Sequence, residues 1–131
     1  MKDVSSTKNK KIKILFIFNS CKNVGPTRVI INILKNLDKN RYEPLLLTFR
    51  DETASSCLSE FTPYIKRHYI CKIGKTDIIL GRLKKLKKII KTISPDVIHT
   101  TGVFPDSAIS KVASGKQVLI CLLYTSDAAD E

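Results

Sequence analysis

The sequence has no tryptophan, a single methionine, and only five glycines and five prolines in 131 residues. This composition excludes collagen-like and low-complexity chains, and hydrophobic residues make up 43% of the sequence, enough to bury a core. No uninterrupted apolar run approaches the ~20 residues that a helix needs to span a bilayer. The chain length corresponds to one domain, because domains cluster at about 100 to 150 residues.

Cysteine is also scarce, and the four residues present are Cys21, Cys57, Cys71 and Cys121. They lack the C-x-x-C spacing of zinc sites and the density of a disulfide scaffold, so we predict reduced thiols and no metal site. Residues 1–10 are polar where a secretory signal would be apolar, and they show no strand or helix periodicity. The sequence therefore predicts a disordered segment over residues 1–10 and a cytoplasmic protein.

The last eleven residues, 121–131, read CLLYTSDAADE, and their most natural back-translation resembles a transposase adapter used in sequencing libraries. We therefore expect a non-native tail over 121–131, and an incomplete domain of a longer protein over 11–120. The alternative is a genuine acidic tail. The tail contains three of the 12 acidic residues and no basic one, so the first 120 residues carry a formal net charge of +14.

Strand-like and helix-like patterns alternate along the chain. Strands are predicted over residues 11–18, 42–49, 67–73 and 96–100, with a fifth beginning at residue 117. Helices are predicted over residues 27–37 and 77–93, and between Pro105 and Gly115. This alternation predicts an α/β fold, with a Rossmann-like doubly wound parallel sheet and right-handed crossovers.

Two of these helices carry apolar stripes at helical spacing. The stripe of the first consists of Ile30, Ile33, Leu34 and Leu37. The stripe of the second consists of Ile79, Leu83, Leu86, Ile90 and Ile93. The regular spacing of the second stripe predicts one continuous helix that ends before the Ser-Pro pair at residues 94–95.

Six cations lie opposite the stripe of the second helix: Arg82, Lys84, Lys85, Lys87, Lys88 and Lys91. A solvated helix face is one interpretation of such a run. The other is contact with an anionic membrane surface, since basic patches gain about 1 kcal/mol per lysine or arginine near acidic lipids.

In a doubly wound sheet, ligands bind outside the carboxyl ends of the strands, where the strand order reverses. The segment 19–28 follows the first strand, and its Gly25 precedes the helix whose free amide donors would stabilise a phosphate. The alternative is that Gly25 serves only the strand-to-helix turn. Neither a G-x-G-x-x-G nor a P-loop motif is present, which disfavours classical NAD binding and nucleotide hydrolysis.

A second candidate segment follows the fourth strand. Its crevice residues are His99, Thr100, Thr101 and Gly102, whose hydroxyls and open backbone suit a sugar or another polyol. His99 is either a structural histidine or a catalytic base. Asp106 is interpreted as a helix-start charge. No nucleophile-base set or carboxylate pair occurs, so no catalytic residue is predicted.

Three segments carry a resemblance in their order and spacing: KIKILFIF, VGPTRVIINILKNLDKNRYEPLLLTF and SPDVIHTTG. Over residues 11–120 they resemble the N-terminal, acceptor-side domain of family 4 glycosyltransferases. The most specific parts are GPTRV after the first strand and PDVIH after the long helix. The resemblance implies the first half of a two-domain B-type fold, whose C-terminal domain holds most of the sugar nucleotide.

The resemblance also implies roles for individual residues. Gly25 matches the phosphate-loop glycine, and Thr27 and Arg28 match the polar pair that opens the following helix. His99 matches the first histidine of the H-x-H pattern, whose second position is Thr101 here. The residue before Gly25, which is usually a second glycine in the family, is valine.

The function implied is a retaining hexosyltransferase that moves a sugar from a sugar nucleotide to a glycan, lipid-linked or related acceptor. No cofactor or metal is expected, and the sugar nucleotide is a substrate. This piece alone is expected to be inactive, because its partner, the C-terminal domain of the same chain, lies outside it. Cytoplasmic location with peripheral binding at the inner face of the membrane would suit a lipid-linked acceptor.

Two other classes remain open. One is a non-enzymatic, cationic Rossmann-like module that binds nucleic acid or another polyanion, although its lysines lack interleaved aromatic residues. The other is a receiver or flavodoxin-like domain, since a parallel sheet alone does not define function. A receiver requires an acidic cluster after the first strand, and residues 19–21 read Asn-Ser-Cys.

Overall fold

The computed structural model describes residues 10–21, 25–51, 56–112 and 118–122. Its strands are β1 (Ile12–Phe18), β2 (Tyr42–Thr48), β3 (His68–Ile70), β4 (Val97–Thr101) and β5 (Val118–Leu122). Its helices are α1 (Gly25–Asn36), α2 (Leu58–Phe61), α3 (Lys75–Ile79), α4 (Lys84–Ile93) and α5 (Val103–Val112), and a 3₁₀ turn at Thr62–Tyr64 follows α2.

The five strands form one parallel sheet in the order β3-β2-β1-β4-β5. This is the strand order of the Rossmann fold, and it differs from the 2-1-3-4-5 order of flavodoxin-like domains. The prediction of a doubly wound α/β fold is therefore confirmed. Because β1 is central and flanked by β2 and β4, the strand order reverses between β1 and β4.

Helices cover both faces of the sheet because the central strands are apolar on both sides. Leu15 and Ile17 of β1 belong to one buried cluster with residues of α3, α4 and α5. Phe16 and Phe18, which point the other way, belong to a second cluster with residues of α1 and α2. The face covered by α1 also carries the candidate site described below.

Helix α1 begins two residues earlier than predicted and presents a different stripe to the sheet. Ile30, Ile31 and Leu34 are fully buried, whereas Ile33 is 41% exposed. The sequence contains two overlapping apolar stripes on this helix, and the helical spacing of its apolar residues alone favours neither stripe. Packing against Phe16 and the second cluster selects the stripe that includes Ile31.

The continuous helix predicted over residues 77–93 is wrong, because the structure divides it into α3 and α4. Gly81 separates them with φ of +69°, a left-handed conformation that commonly ends helices and that glycine adopts without strain. Its amide donates to the Ile78 carbonyl, as expected for the end of α3. The break turns Ile79 outward, so that it is 80% exposed while Leu86 of the same predicted stripe is fully buried.

The remaining boundaries differ from the predictions by a few residues. Strand β3 is shorter than the predicted 67–73, and α5 begins two residues before Pro105. Strand β5 includes Cys121 and Leu122, so the predicted adapter tail begins inside a strand that pairs with β4. The predicted disordered residues 1–9, Gly115 and residues 123–131 lie outside the described part of the chain.

Candidate functional site

The described parts of the two candidate segments lie at the carboxyl edge of the sheet, beside the point where the strand order reverses. Strand β1 leads into α1, and β4 leads through Gly102 into α5. Gly102 has φ of +98°, which lets the chain turn sharply from β4 into the helix. Because β1 and β4 are adjacent and parallel, both turns lie at one edge of the sheet.

His99 and Thr101 project from the same face of β4, because side chains alternate along a strand. His99 pairs in register with Phe16 of β1, and the centroids of the two rings are 5.5 Å apart. Phe16 lies in the cluster that packs against α1, so His99 and Thr101 face the α1 side of the sheet. This places an imidazole and a hydroxyl in one line at the carboxyl end of β4.

One polar side-chain atom of each residue is buried without a hydrogen-bond partner among the described residues. Thr101 is only 7% exposed. The Nδ1 atom of His99 and the Oγ1 atom of Thr101 are both buried and make no hydrogen bond within the described residues. An unpaired buried polar group costs about 1–3 kcal/mol, and such groups in folded proteins call for an explanation, of which a ligand site is one.

Burial lowers the pKa of the His99 imidazole below its ordinary value, and a backbone hydrogen bond of the same residue partly opposes this effect. The ring is therefore neutral at physiological pH, and one of its nitrogens can accept a hydrogen bond. Thr101 supplies a hydroxyl that can donate or accept. The two residues therefore place two uncharged hydrogen-bonding side chains on one face of β4.

We expect the free energy of unfolding to decrease on acidification and to do so less in a His99→Phe variant. The unfolded chain protonates this residue near its ordinary value of about 6.5, whereas the folded chain does so only at lower pH. Between these two values the unfolded state binds more protons, so acid favours it, and above about pH 7 the contribution of His99 is constant. Urea unfolding of both proteins at several pH values measures the difference.

The two proteins in this comparison differ only at residue 99, so contributions from the rest of the chain cancel in the difference. An identical pH dependence of the unfolding free energy in the two proteins would contradict the lowered pKa of His99. Phenylalanine is chosen because it preserves a ring against Phe16.

Thr100 was predicted together with His99 and Thr101, but the structure places it on the opposite face of β4. It is fully buried. Its Oγ1 donates to Oδ1 of Asp106 at 3.4 Å. Asp106 lies in the first turn of α5, where a carboxylate complements the helix dipole, as its position in the sequence indicated.

Gly25 is the first residue of α1, and no described residue lies close enough to exclude a larger side chain at this position. Its φ lies outside the left-handed region, and a Cβ added to it would meet no atom within 4 Å. Residues 22–24 of the strand-to-helix turn lie outside the described part of the chain, so the interpretation that the turn alone requires glycine stays open. A Cβ at residue 25 would stand in open space beside the first turn of α1.

The two other residues predicted for the phosphate loop are held by the protein itself. Thr27 is buried against the sheet side of α1. Arg28 donates from Nη1 to both carboxylate oxygens of Glu60, at 2.8 and 2.7 Å. The hydrogen bond and charge of Glu60 raise the pKa of the Arg28 guanidinium, and the same contact holds this cation against α2.

Sequence reasoning missed two groups that shape the same edge. Arg50, after β2, donates from Nε to Oδ1 of Asn19 at 3.1 Å. Glu60, on the short helix α2, holds Arg28 as described. Both contacts join residues more than 30 positions apart, and no local motif marks them, so the sequence offered no signal for either.

Two negative findings concern metal and membrane. Within the residues that the structure describes, no group of three or more histidine, cysteine, aspartate or glutamate side chains is arranged to hold a metal ion. Over the same residues, none of the helices has the length and apolar character needed to cross a membrane.

Comparison with known proteins leaves the family open. No protein-family model matches the chain, and no similar protein was found among curated sequences.

Proposed function

We propose that this chain is the acceptor-side part of a retaining, cytoplasmic glycosyltransferase that uses a sugar nucleotide and a glycan, lipid-linked or related acceptor. The observation that carries the proposal is the pair of buried polar atoms, Nδ1 of His99 and Oγ1 of Thr101, without partners within the described residues at the edge where the strand order reverses. Ligands of doubly wound sheets bind at this edge.

The chemistry of the pair matches a sugar hydroxyl better than a charged ligand. A neutral imidazole and a threonine hydroxyl offer one acceptor and one group that both donates and accepts. A sugar hydroxyl satisfies both, since it donates one hydrogen bond and accepts others. The aromatic ring of Phe16 is itself buried and packs beside the imidazole of His99.

The start of α1 supports an anionic second ligand. A Cβ at Gly25 would stand in open space, and the first turn contains no acidic side chain. A diphosphate of a sugar nucleotide would be stabilised there by the helix dipole and the free amides. Arg28 would contribute only by sharing its contact with Glu60.

The chain itself is the material for the test, because binding requires no turnover. We expect NMR titrations with methyl hexosides to give weak, millimolar binding, with shifts centred on His99 and Thr101. A Thr101→Val variant should bind about tenfold more weakly, which corresponds to the loss of one hydrogen bond. The matched control is Thr100→Val, which removes a hydroxyl from the opposite face of the same strand and should leave hexoside binding unchanged.

A parallel titration with UDP-hexoses examines the phosphate loop. Gly25→Ala should weaken UDP-hexose binding without lowering stability, because the added methyl group meets no atom within 4 Å in the unliganded protein. Hexoside shifts that are equal in Thr101→Val and the parent chain, or no hexoside binding at all, would contradict the proposal.

A further inference from the structure

Two large aliphatic side chains stand out from the surface at the turn between α3 and α4. Ile79 is 80% exposed and Leu80 is 61% exposed, well above the other exposed large hydrophobic residues described. They lie at the end of α3, directly before the break at Gly81. Adjacent exposed aliphatic residues on one turn suggest a contact surface when charged residues surround them.

The surroundings of this turn are strongly cationic. A surface cavity of about 400 Å³ lies beside it, and its charged lining consists of Lys72, Arg82, Lys84 and Lys85 with a single carboxylate, Asp77. Two of these cations are compensated: Nζ of Lys72 lies 2.8 Å from Asp51, and Nε of Arg82 lies 3.4 Å from Asp77. Lys84 and Lys85 make no ion pair within the described part of the chain.

The position of these two lysines is unfavourable for the helix that contains them. Lys84 and Lys85 occupy the first turn of α4, which has no acidic residue. Cations at a helix N-terminus oppose the macrodipole, and the usual residues at that position are aspartate and glutamate. Residues that oppose the charge preference of a helix end, and that have no contact to compensate for it, are typical of a functional surface.

We propose that the α3–α4 turn and the start of α4 dock onto an anionic lipid bilayer. Ile79 and Leu80 enter the boundary between headgroups and acyl chains, while Arg82, Lys84 and Lys85 contact lipid phosphates. Apolar insertion combined with a basic rim is the arrangement by which peripheral proteins bind acidic membranes. The inference does not depend on sugar transfer.

The apolar residues of this surface favour a bilayer over nucleic acid. Proteins that bind single strands without sequence preference stack bases on aromatic side chains. Neither the turn nor the described lining of the cavity contains an aromatic residue. Against a phosphate backbone the exposed Ile79 and Leu80 side chains would find no apolar partner. A bilayer, in contrast, removes them from water.

Vesicle co-sedimentation of the full chain tests the proposal. We expect binding to phosphatidylcholine vesicles that contain one third phosphatidylglycerol, little binding to phosphatidylcholine alone, and weakening at high salt. Lys84→Gln/Lys85→Gln should lower the partition coefficient about 30-fold, about fivefold per lysine. Ile79→Ser/Leu80→Ser should lower it at least about tenfold through loss of apolar insertion.

Matched controls come from α1 and the turn after it, on the other face of the sheet. Val29→Ser/Ile33→Ser removes two exposed aliphatic side chains there, and Lys35→Gln/Lys39→Gln removes two exposed cations. Both should partition within about twofold of the parent chain. The fivefold decrease of the partition coefficient per removed cation applies only to cations at the lipid surface. Circular dichroism establishes that all four variants are folded.

Three results would overturn membrane docking. One is equal binding to neutral and anionic vesicles, and a second is a loss of binding in the control variants as large as in the test variants. The third is tight binding of a fluorescent oligonucleotide that is unchanged in Ile79→Ser/Leu80→Ser, in the absence of vesicle binding. That third result would identify the surface as a nucleic-acid site.

Discussion

Replacing Leu86 with alanine is expected to lower the free energy of unfolding by about 2–5 kcal/mol. Leu86 is fully buried and packs in the cluster formed by β1, β4 and the helices of that face. Alanine would remove buried methyl groups and leave a cavity that the surrounding side chains fill only in part. Urea unfolding followed by circular dichroism measures the change.

The control for this prediction is Ile79→Ala, on the same apolar stripe in the sequence. In one continuous helix both residues would face the core and both substitutions would be costly. Because the break at Gly81 exposes Ile79, its substitution should change stability by less than about 0.5 kcal/mol. A comparable loss in both variants would show that α3 and α4 form one helix in solution.

Replacing Thr101 with valine is expected to raise the free energy of unfolding by about 1–2 kcal/mol. Valine has nearly the same shape and the same preference for strands as threonine. It removes a buried hydroxyl that has no hydrogen-bond partner within the described residues. A substitution that stabilises the protein while weakening ligand binding is the signature of a site that trades stability for function.

Thr100→Val, at the neighbouring residue of β4, is expected to change stability in the opposite direction. Its hydroxyl donates to Asp106, so the substitution breaks a hydrogen bond and should lower stability by about 0.5–1.5 kcal/mol. The two variants should therefore shift the urea midpoint in opposite directions. Destabilisation by both would mean that the hydroxyl of Thr101 has a partner in solution.

The fold was predictable because its strands are apolar on both faces and because helices alternate with the strands along the sequence. The run at residues 14–18 permits only a central, covered strand, which Ile12–Phe18 proves to be. The position of the candidate site followed from topology alone, since parallel strands bring residues 19–28 and 100–106 to one edge. Alternation along β4 separates Thr100 from Thr101, although the sequence analysis had placed both toward the crevice.

The parts that were not predictable depend on contacts between distant segments. Periodicity cannot detect the interruption at Gly81, because the apolar residues on either side keep helical spacing across it. The pairing of Arg28 with Glu60 arises only when α2 packs beside α1. Likewise, the choice of Ile31 over Ile33 on α1 is made by the side chains that meet it in the core.

The central position of β1 affects the order in which the chain can assemble. One of its neighbours, β4, lies far along the chain, and the amide of Lys13 donates to the Asp96 carboxylate across 83 residues. A ribosome adds roughly 5–20 residues per second, so about 4 to 17 seconds pass before that partner is synthesised. During this interval the central strand of the sheet has one open edge, and chaperone binding to the nascent chain would protect it there.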